Sequence, residues 1–327
     1  MAISSRGDPG GTALTPYSIA IIGVGKIARD QHLPVIRRNP RFRLAGVISH
    51  SGARVEGVPT FATAAEAYAA LPEIDAVAIC TPPSVRHAIA LEALAAGKHV
   101  LLEKPPAPTL SEAHDLAAHA AASGRVIFAT WHSQYNPAVD EARELLSGAK
   151  LRRLTLDWRE DVRRWHPGQD WVWDAGNFGV FDPGINAMSI LAKITPGPIF
   201  VKRAELFFPA NRDTPIAASL AFGSSAAESP NSPLTGEFEW RTEGDDSWNI
   251  DIETTTGTTL RLTSGGSRLF VDGRLAREAP VAEYEGIYDH FAALLDAKWS
   301  AMDCAPFQLV ADAFLIGSRR IVEPFEW

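Results

Sequence analysis

The sequence predicts an α/β protein with a doubly wound parallel sheet first, followed by an α+β domain with a large open, mostly antiparallel sheet. Three observations predict this fold. Short apolar runs alternate with helical segments between residues 17 and 134. A glycine-rich turn follows the first apolar run. Beyond residue 199, runs that alternate polar with apolar residues are separated by Gly, Pro and Asp, which indicates antiparallel strands with one covered face.

The length of the chain allows two domains. Its 327 residues are enough for each domain to bury its own core. We expect a tail at residues 1–16, a dinucleotide-binding domain at 17–134 and a substrate-binding α+β domain at 135–327. The tail is rich in Gly, Ser and Pro and lacks the apolar stretch of a secretory signal, so a cytoplasmic location is expected by default.

The composition argues against several classes of protein. A formal net charge of −8 gives no general attraction to nucleic acid or to an anionic membrane. No apolar run approaches the length of a membrane span. Cys80 and Cys304 lie far apart and form no Cys-x-x-Cys pair, so we expect neither a disulfide framework nor a metal site. A small molecule is therefore the expected partner.

The first predicted strand, at residues 17–22, leads into the dinucleotide fingerprint of Rossmann domains. Residues 23–28 follow the pattern G-x-G-x-x-A. Gly23 permits the tight turn, and Gly25 lets backbone amides approach a pyrophosphate at the start of a helix. The motif follows a strand and opens a helix, which is the context that supports it. We predict that Lys26 and Ile27, inside the motif, also contact the cofactor.

The second predicted strand, at residues 42–48, bears on the choice of cofactor. NAD enzymes usually place Asp or Glu after this strand, against the ribose 2′-hydroxyl. Here Ser49 and His50 follow it, with Arg54 nearby, and these groups can hold a 2′-phosphate without charge repulsion. We therefore expect NADP as the preferred cofactor, with NAD also possible. The alternative is that these are loop residues and both cofactors serve equally.

The alternation continues through the rest of the first domain. The predicted elements are helix 63–71, strand 74–80, helix 84–96, strand 98–102, a helix capped by Ser111 and running to about 122, and strand 125–129. Thr81 and Pro82 end the third strand. Ligands bind outside the carboxyl ends of strands in such sheets, so both residues are predicted cofactor contacts.

The fourth strand ends in Glu103-Lys104-Pro105-Pro106. Proline removes a backbone donor, so the strand cannot continue through this segment. Lys104 is therefore predicted to lie at the ligand-binding edge of the sheet. The alternative is an ordinary Glu-Lys pair at the surface end of a strand.

In the second domain the predicted elements no longer alternate regularly between strand and helix. Its predicted elements are helix 136–147, strand 151–159, a helix opened by residues 182–186 and running to 193, antiparallel strands between 199 and 271, and helices 284–298 and 308–321. Asp182 and Asn186 are four residues apart, so they lie on one helix face and could reach the same ligand. The alternative is that Asp182, which precedes Pro183, serves only as an N-cap.

Three stretches of the first domain together resemble one enzyme family. They are the G-x-G-x-x-A turn at 23–28, the strand ending in Thr81-Pro82, and the run Ala-Ala-Gly-Lys-His-Val-Leu-Leu-Glu-Lys-Pro at 95–105. The chain resembles the glucose–fructose oxidoreductase/inositol dehydrogenase (Gfo/Idh/MocA) family. Trp131-His132 and the segments 160–168 and 181–186 resemble its bacterial L-arabinose/D-galactose 1-dehydrogenase branch.

The resemblance implies specific roles. Lys104 would lie between nicotinamide and substrate, with a cis bond to Pro105. Further cofactor contacts would come from Glu103, Trp131 and His132. His87 is also predicted to contact the cofactor, although its position in the sequence indicates only that it lies in a helix. In most of the family the substrate helix carries Asp-x-x-x-His, and the histidine shuttles a proton. This chain has Asn186 at that position, as the aldose branch does, so another group must move the proton.

The implied function is NAD(P)-dependent oxidation of the C1 hydroxyl of a cyclic aldose, namely L-arabinose, D-galactose or a close relative, to the aldonolactone. Hydride passes to nicotinamide and a proton leaves O1. Lys104 and Asp182 are the two candidates for the proton chemistry, with Asn186 beside them. The alternatives are another sugar or inositol oxidoreductase of the family, or a non-enzymatic sugar or NADP sensor. Retention of Lys104 and Asp182 argues against the sensor.

Further substrate contacts are predicted in the second domain. Glu160 and His166 flank a strand end and could bind sugar hydroxyls; the alternative is that Glu160 forms a surface ion pair with Arg163 or Arg164.

Aromatic residues offer a second kind of contact. Trp131, Trp165 and Trp240 could form flat apolar walls for a sugar, with core packing as the alternative. His132 is predicted to touch both substrate and cofactor. In the family, subunits often pair through the open sheet. The resemblance therefore implies a possible homo-oligomer.

Overall fold

The computed structural model describes residues 15–327. The predicted tail at 1–16 therefore lies almost wholly outside the described residues. The described chain forms two β-sheets, one of six strands and one of nine. Within residues 15–327, every helix is too short or too polar to cross a lipid bilayer.

The first sheet is parallel throughout, in the order β3-β2-β1-β4-β5-β6. Its strands are β1 (Tyr17–Ile22), β2 (Phe42–Ile48), β3 (Thr60–Phe61), β4 (Ala76–Ile79), β5 (His99–Leu102) and β6 (Ile127–Ala129). Its helices are α1 (Leu33–Arg38), α2 (Ala64–Ala70), α3 (Pro83–Ala95) and α4 (Leu110–Ser123). The strand order reverses between β1 and β4, which opens a crevice at their carboxyl ends. The predicted doubly wound sheet is confirmed.

The two faces of this sheet are covered by different helices. Ile19 and Ile21 of β1 pack towards α1, whereas Ala20 and Ile22 pack towards α2, α3 and α4. The first of these faces is completed by α8 (Glu283–Ala297), which comes from the far end of the chain. The domain boundary at residue 134 stays a prediction. Helix α8 follows that boundary in the sequence but packs on the first sheet.

The second sheet has the order β14-β13-β12-β11-β7-β10-β9-β8-β15. Its strands are β7 (Leu151–Arg159), β8 (Ile199–Pro209), β9 (Ala217–Ser224), β10 (Leu234–Glu239), β11 (Ser247–Thr254), β12 (Thr259–Thr263), β13 (Arg268–Val271), β14 (Arg274–Glu278) and β15 (Ser318–Val322). All neighbours are antiparallel except β7 with β10 and β8 with β15. The predicted open, mostly antiparallel sheet is confirmed.

Helices cover one face of the second sheet. They are α5 (Val139–Leu146), α7 (Phe181–Ile194) and α9 (Ala305–Ile316); the short α6 (Val162–Trp165) lies beyond the end of β7. The opposite face carries charged side chains such as Arg153, Asp251 and Arg261. Pairing of subunits through this face stays a prediction.

Several predicted elements differ from the structure. Thr109, not Ser111, caps α4, because its side chain accepts the Glu112 amide at 3.2 Å from an extended backbone. The predicted last helix ends at Ile316, and Gly317 turns the chain into β15. Helix α7 begins at Phe181 with Val180 as its N-cap, so Asp182 lies in the first turn and is not the cap.

Candidate active site

A cleft of about 500 Å³ lies between the carboxyl ends of the first sheet and helix α7. Predicted site residues from both halves of the chain line it: Gly25, Lys26, Ile27, Thr81, Pro82, Glu103, Lys104, His132, Trp165, His166 and Asp182. The strand ends and the first turn of α7 therefore assemble one site from residues far apart in the sequence.

The turn after β1 fits a dinucleotide. Gly23 has a φ of +92°, and a Cβ added there would lie 2.9 Å from Thr81 Cγ2, so only glycine fits without strain. A Cβ added at Gly25 would meet no protein atom within 4 Å, although Gly25 lines the cleft. The buried Thr81 Oγ1 has no hydrogen-bond partner in the described part of the chain. The turn could thus hold a pyrophosphate, and Thr81 offers a further polar contact.

The end of β2 is built from the predicted residues and one that the prediction lacks. Ser49 is buried and its Oγ accepts the Ala53 amide at 3.0 Å, whereas His50 is exposed. Arg29, from the helix that follows the glycine turn, donates to the Arg54 carbonyl at 3.2 Å. The Arg29 guanidinium therefore contacts the backbone of the segment that follows β2, and no carboxylate comes directly after the strand.

Lys104 reaches across the cleft from the end of β5 to α7. Its Nζ donates to the backbone oxygen of Asp182 at 2.9 Å and lies 3.3 Å from Asp182 Oδ1. The two side chains are 16% and 19% exposed, so this is not a surface pair. The Lys104–Pro105 bond is cis, as the resemblance implies.

Asp182 lies between two basic groups. Its Oδ2 is 3.3 Å from His166 Nε2, on the opposite side from Lys104. Burial raises the pKa of the Asp182 carboxyl, but Lys104 and His166 outweigh burial and hold that pKa well below its usual range. Burial lowers the pKa of His166, but Asp182 outweighs it and raises that pKa above its usual value. Asp182 is thus ionised and only accepts hydrogen bonds.

Glu103 holds the backbone of Lys104 in place through a hydrogen bond. Its Oε1 accepts the Tyr284 hydroxyl at 2.8 Å and lies 2.8 Å from His32 Nε2, and its Oε2 accepts the Lys104 amide at 3.0 Å. Burial raises the pKa of Glu103, but His32 and other cations outweigh it and hold the pKa at about 2. An ionised Glu103 carboxylate therefore lies next to the backbone of Lys104.

Arg86 connects the segments that follow β4 and β5 through hydrogen bonds. Its guanidinium donates to the carbonyls of Thr81 at 2.7 Å and Glu103 at 2.6 Å, and also to that of Pro105. Arg86, His32 and Tyr284 are absent from the predicted site. The sequence carries no local signal for them, because each acts through contacts with a remote segment.

Glu160 occupies a buried pocket behind His166. Its two carboxyl oxygens accept the indole N–H groups of Trp240 at 3.1 Å and Trp248 at 3.0 Å. Burial, opposed by the Trp240 hydrogen bond, raises the pKa of Glu160 to about 7. The predicted surface ion pair is wrong, because Arg163 pairs with Asp161 and Arg164 with Asp246. Glu160 does not line the cleft either, so its contact with a sugar stays a prediction.

Other predicted residues do not line the cleft. Trp240 is fully buried and meets His166 edge-on, and Trp131 is buried with its Nε1 donating to the Asp303 carbonyl, so the core-packing interpretation describes both. His87 pairs with Asp115 of α4 at 2.8 Å.

Of two further predicted residues, Trp165 lines the cleft and Asn186 does not. Asn186 lies one turn along α7 from Asp182 and is half-buried, with its backbone oxygen accepting the Ser189 hydroxyl at 2.7 Å. Trp165 is 40% exposed and stands at the rim of the cleft, tilted against Trp248 with ring centroids 5.5 Å apart.

Comparison with known proteins identifies the family. Residues 17–130 match the GFO_IDH_MocA model, described as "Oxidoreductase family, NAD-binding Rossmann fold". The chain is 43% identical over 312 residues to a galactose 1-dehydrogenase from Pseudomonas fluorescens, covering 95% of this chain and 99% of that protein. The chain belongs to the Gfo/Idh/MocA oxidoreductase family. The family resemblance predicted from the motifs is confirmed, and the first domain is an NAD-binding Rossmann domain.

Solved structures agree with this assignment. A D-galactose-1-dehydrogenase from Rhizobium etli superposes with a TM-score of 0.92 at 47% identity, over 97% of this chain and 100% of that one. A 3-ketoreductase from Actinomadura kijaniata, solved with NADP and TDP-benzene, has a TM-score of 0.76 at 16% identity, over 94% and 100% of the two chains. At that identity the likeness shows the fold alone. This member of the Gfo/Idh/MocA family is thus an oxidoreductase with the two-sheet architecture of these structures.

Proposed function

We propose that the protein is an NAD(P)-dependent aldose 1-dehydrogenase that converts D-galactose, L-arabinose or a close stereoisomer to the aldonolactone. The observation that carries the proposal is the row Lys104–Asp182–His166 in a cleft next to a dinucleotide-binding turn. Relatives named galactose 1-dehydrogenases that align over nearly the whole chain support the choice of substrate.

The geometry suggests a division of roles. Nicotinamide, when bound, supplies the hydride acceptor. Asp182 is a poor proton acceptor because its pKa is held low, so we assign the O1 proton to Lys104 Nζ. Asp182 holds Nζ in place and stabilises the positive charge that the lysine gains. This assignment replaces the proton shuttle that the family histidine at position 186 would supply.

The rest of the cleft suits a sugar. Polar side chains at Gln169 and Asn177 line it beside His166, and can hold hydroxyl groups. Trp165 and Trp171 stand at its rim and are each about two-fifths exposed, so part of each ring can contact the apolar face of a pyranose. L-arabinose has the ring of D-galactose without C6, so one site of this shape could accept both.

NADP is the cofactor that we propose as preferred. The strand β2 ends in Ser49 and His50 rather than a carboxylate, and the Arg29 guanidinium donates to the Arg54 carbonyl of the segment that follows. These groups favour a 2′-phosphate over a bare ribose hydroxyl.

The deciding experiment is a substrate panel. Purified protein is mixed with NADP or NAD and each of a dozen aldoses and myo-inositol, and reduced cofactor is followed by absorbance. We expect turnover with D-galactose or L-arabinose, larger with NADP, and formation of the lactone. Turnover with myo-inositol alone would replace the proposal with the inositol alternative, and no turnover with any polyol would overturn it.

A further inference from the structure

A second carboxylate–imidazole pair reaches the cleft, apart from Asp182 and His166. His132 follows β6, and its Nδ1 lies 2.9 Å from Glu283 Oε2 in the first turn of α8. The side chains of His132 and Glu283 are 17% and 15% exposed. His132 lines the cleft, and its Nε2 has no hydrogen-bond partner among residues 15–327.

The surroundings of Glu283 determine which nitrogen of His132 carries hydrogen. Glu283 Oε1 accepts Asn136 Nδ2 at 2.8 Å, while Oε2 faces His132. Burial raises the pKa of Glu283, but His132 and the neighbouring donors outweigh it and lower that pKa. An ionised carboxylate only accepts hydrogen bonds, so Nδ1 of His132 must donate. The nitrogen left for a ligand is Nε2.

The same turn of α8 also supports the catalytic strand. Tyr284 follows Glu283 and donates its hydroxyl to Glu103 Oε1 at 2.8 Å, and Glu103 in turn accepts the Lys104 amide. The Tyr284 ring stacks on the His132 ring, with centroids 5.9 Å apart and planes 18° apart. Two consecutive residues of α8 thus support two residues of the cleft. Glu283 contacts the His132 side chain, and Tyr284 acts through Glu103 on the Lys104 backbone.

We propose that Glu283 is a positioning residue: it holds His132 with hydrogen on Nδ1, so that Nε2 of the neutral imidazole accepts a hydrogen bond from a molecule bound in the cleft. The proposal rests on the proposed function for the nature of that molecule. The donor is a sugar hydroxyl or the carboxamide N–H group of the cofactor, and the two differ in which Michaelis constant depends on Glu283.

The charge of His132 depends on four neighbours. Glu283 and Tyr284 face it from α8, and Glu103 and Lys104 face it from the end of β5. Burial lowers the pKa of His132 and Lys104 lowers it further, but Glu283 outweighs both and raises it. Because the folded-state pKa is raised, Nε2 keeps its hydrogen to a higher pH than in a free histidine. Removing the Glu283 charge should therefore shift this loss of hydrogen to lower pH.

The first test needs no substrate. Glu283→Gln keeps the size and one acceptor oxygen but removes the charge. Imidazole ¹⁵N NMR of the full chain, with the signal assigned through His132→Gln, should show hydrogen on Nδ1 in the wild type. In Glu283→Gln the proton affinity of His132 should fall about tenfold. Glu285→Gln is the matched control, because Glu285 lies in the same helix, exposed and paired with Arg38, and should change nothing.

Kinetics form the second arm. Glu283→Gln should lower kcat/KM about tenfold on the high-pH side of the His132 titration, where the wild-type imidazole is neutral, and less on the low-pH side, where Nε2 carries hydrogen and cannot accept. A rise confined to the sugar KM identifies the sugar as donor, and one confined to the cofactor KM identifies the carboxamide. Glu283→Asp, which keeps the charge, should retain the Nδ1–H signal and serves if Glu283→Gln does not fold.

Hydrogen on Nε2 alone in neutral wild-type His132, or an unchanged His132 titration in folded Glu283→Gln, would overturn the proposal. Absence of any aldose turnover would count against the proposed function and leave the NMR result intact.

Discussion

Asp182 contacts Lys104 with one oxygen and His166 with the other, and in the proposed mechanism this arrangement separates charge stabilisation from proton transfer. A carboxylate between two basic groups gains more from staying ionised than from taking a proton. In that mechanism it keeps Lys104 in place while the lysine changes charge. At the scale of single residues, the proposed choice of Lys104 over Asp182 as proton acceptor thus rests on the neighbours of Asp182, and these neighbours come from segments that no local pattern joins.

The role of Lys104 can be tested by removal. Lys104→Ala should lower kcat about a thousandfold, because the proton acceptor is lost while the hydride acceptor can still bind. NADPH binding, followed by fluorescence, should stay within a few-fold of wild type. Lys98→Ala is the control: Lys98 precedes the same strand but bonds the Ile74 carbonyl outside the cleft. Near-normal turnover of Lys104→Ala would remove the lysine from the mechanism.

Glu160 leads to a prediction about stability and pH. Its folded-state pKa of about 7 is raised above the ordinary 4.5, so ionising it costs the folded protein free energy. The cost is absent below pH 4.5 and complete above pH 7, where it reaches about 3 kcal/mol. The free energy of unfolding of Glu160→Gln, relative to wild type, should therefore rise by up to this amount from pH 5 to pH 8.

Urea unfolding at the two pH values measures this difference. Glu237→Gln, at an exposed position on β10, should show no such dependence on pH. A pH-independent difference for Glu160→Gln as well would mean that Glu160 ionises normally.

At the scale of elements, the glycine turn after β1 combines two different requirements. Gly23 is needed by the protein, since its φ is positive and Thr81 packs against it. Gly25 is predicted to be needed by the cofactor, since the protein itself leaves space there. The fingerprint motif predicts both glycines from sequence, because the turn geometry is local. Strand β15 could not be predicted in the same way: its pairing with β8 joins Ser318 to Glu205, and apolar helical spacing continues up to it.

Alanine at each glycine should separate the two requirements. Gly23→Ala should destabilise the protein by about 1–3 kcal/mol in urea unfolding, because alanine is strained at a positive φ. Gly25→Ala should leave stability nearly unchanged and weaken NADPH binding at least tenfold, because its methyl group occupies ligand space. Each variant is the control for the other. The opposite pattern would mean that the cofactor does not lie over this turn.

At the scale of the whole molecule, the site belongs to neither sheet alone. Sequence patterns predict both sheets, the fingerprint turn and the lysine at the strand end, since each follows from local spacing. They do not predict that His32, Arg86 and Tyr284 surround Glu103, because these contacts span up to 181 residues. Nor do they place Trp240 in the core rather than in the cleft, since an isolated tryptophan suits both. Tertiary packing decides such cases.

Cofactor preference should be visible in the stability of the whole protein. A ligand that binds only the folded state stabilises it by about 2.7 kcal/mol at 100 times its Kd. At equal concentrations, NADP should therefore raise Tm more than NAD in differential scanning fluorimetry. Arg29→Ala, which removes one guanidinium near the end of β2, should reduce the NADP shift and leave the NAD shift unchanged. Equal shifts for both nucleotides in the wild type would contradict a preference for NADP.

Helix α8 also bears on the order in which the chain folds during its synthesis. Phe42 and Phe128 of the first sheet pack against Tyr288 and Phe291 of α8. A ribosome makes the second sheet up to β14 before it makes α8, so the part of the first sheet that α8 covers stays exposed during almost half of translation. We expect the nascent chain to depend on chaperones during that interval, and the cofactor-binding half to mature only as the last segment emerges.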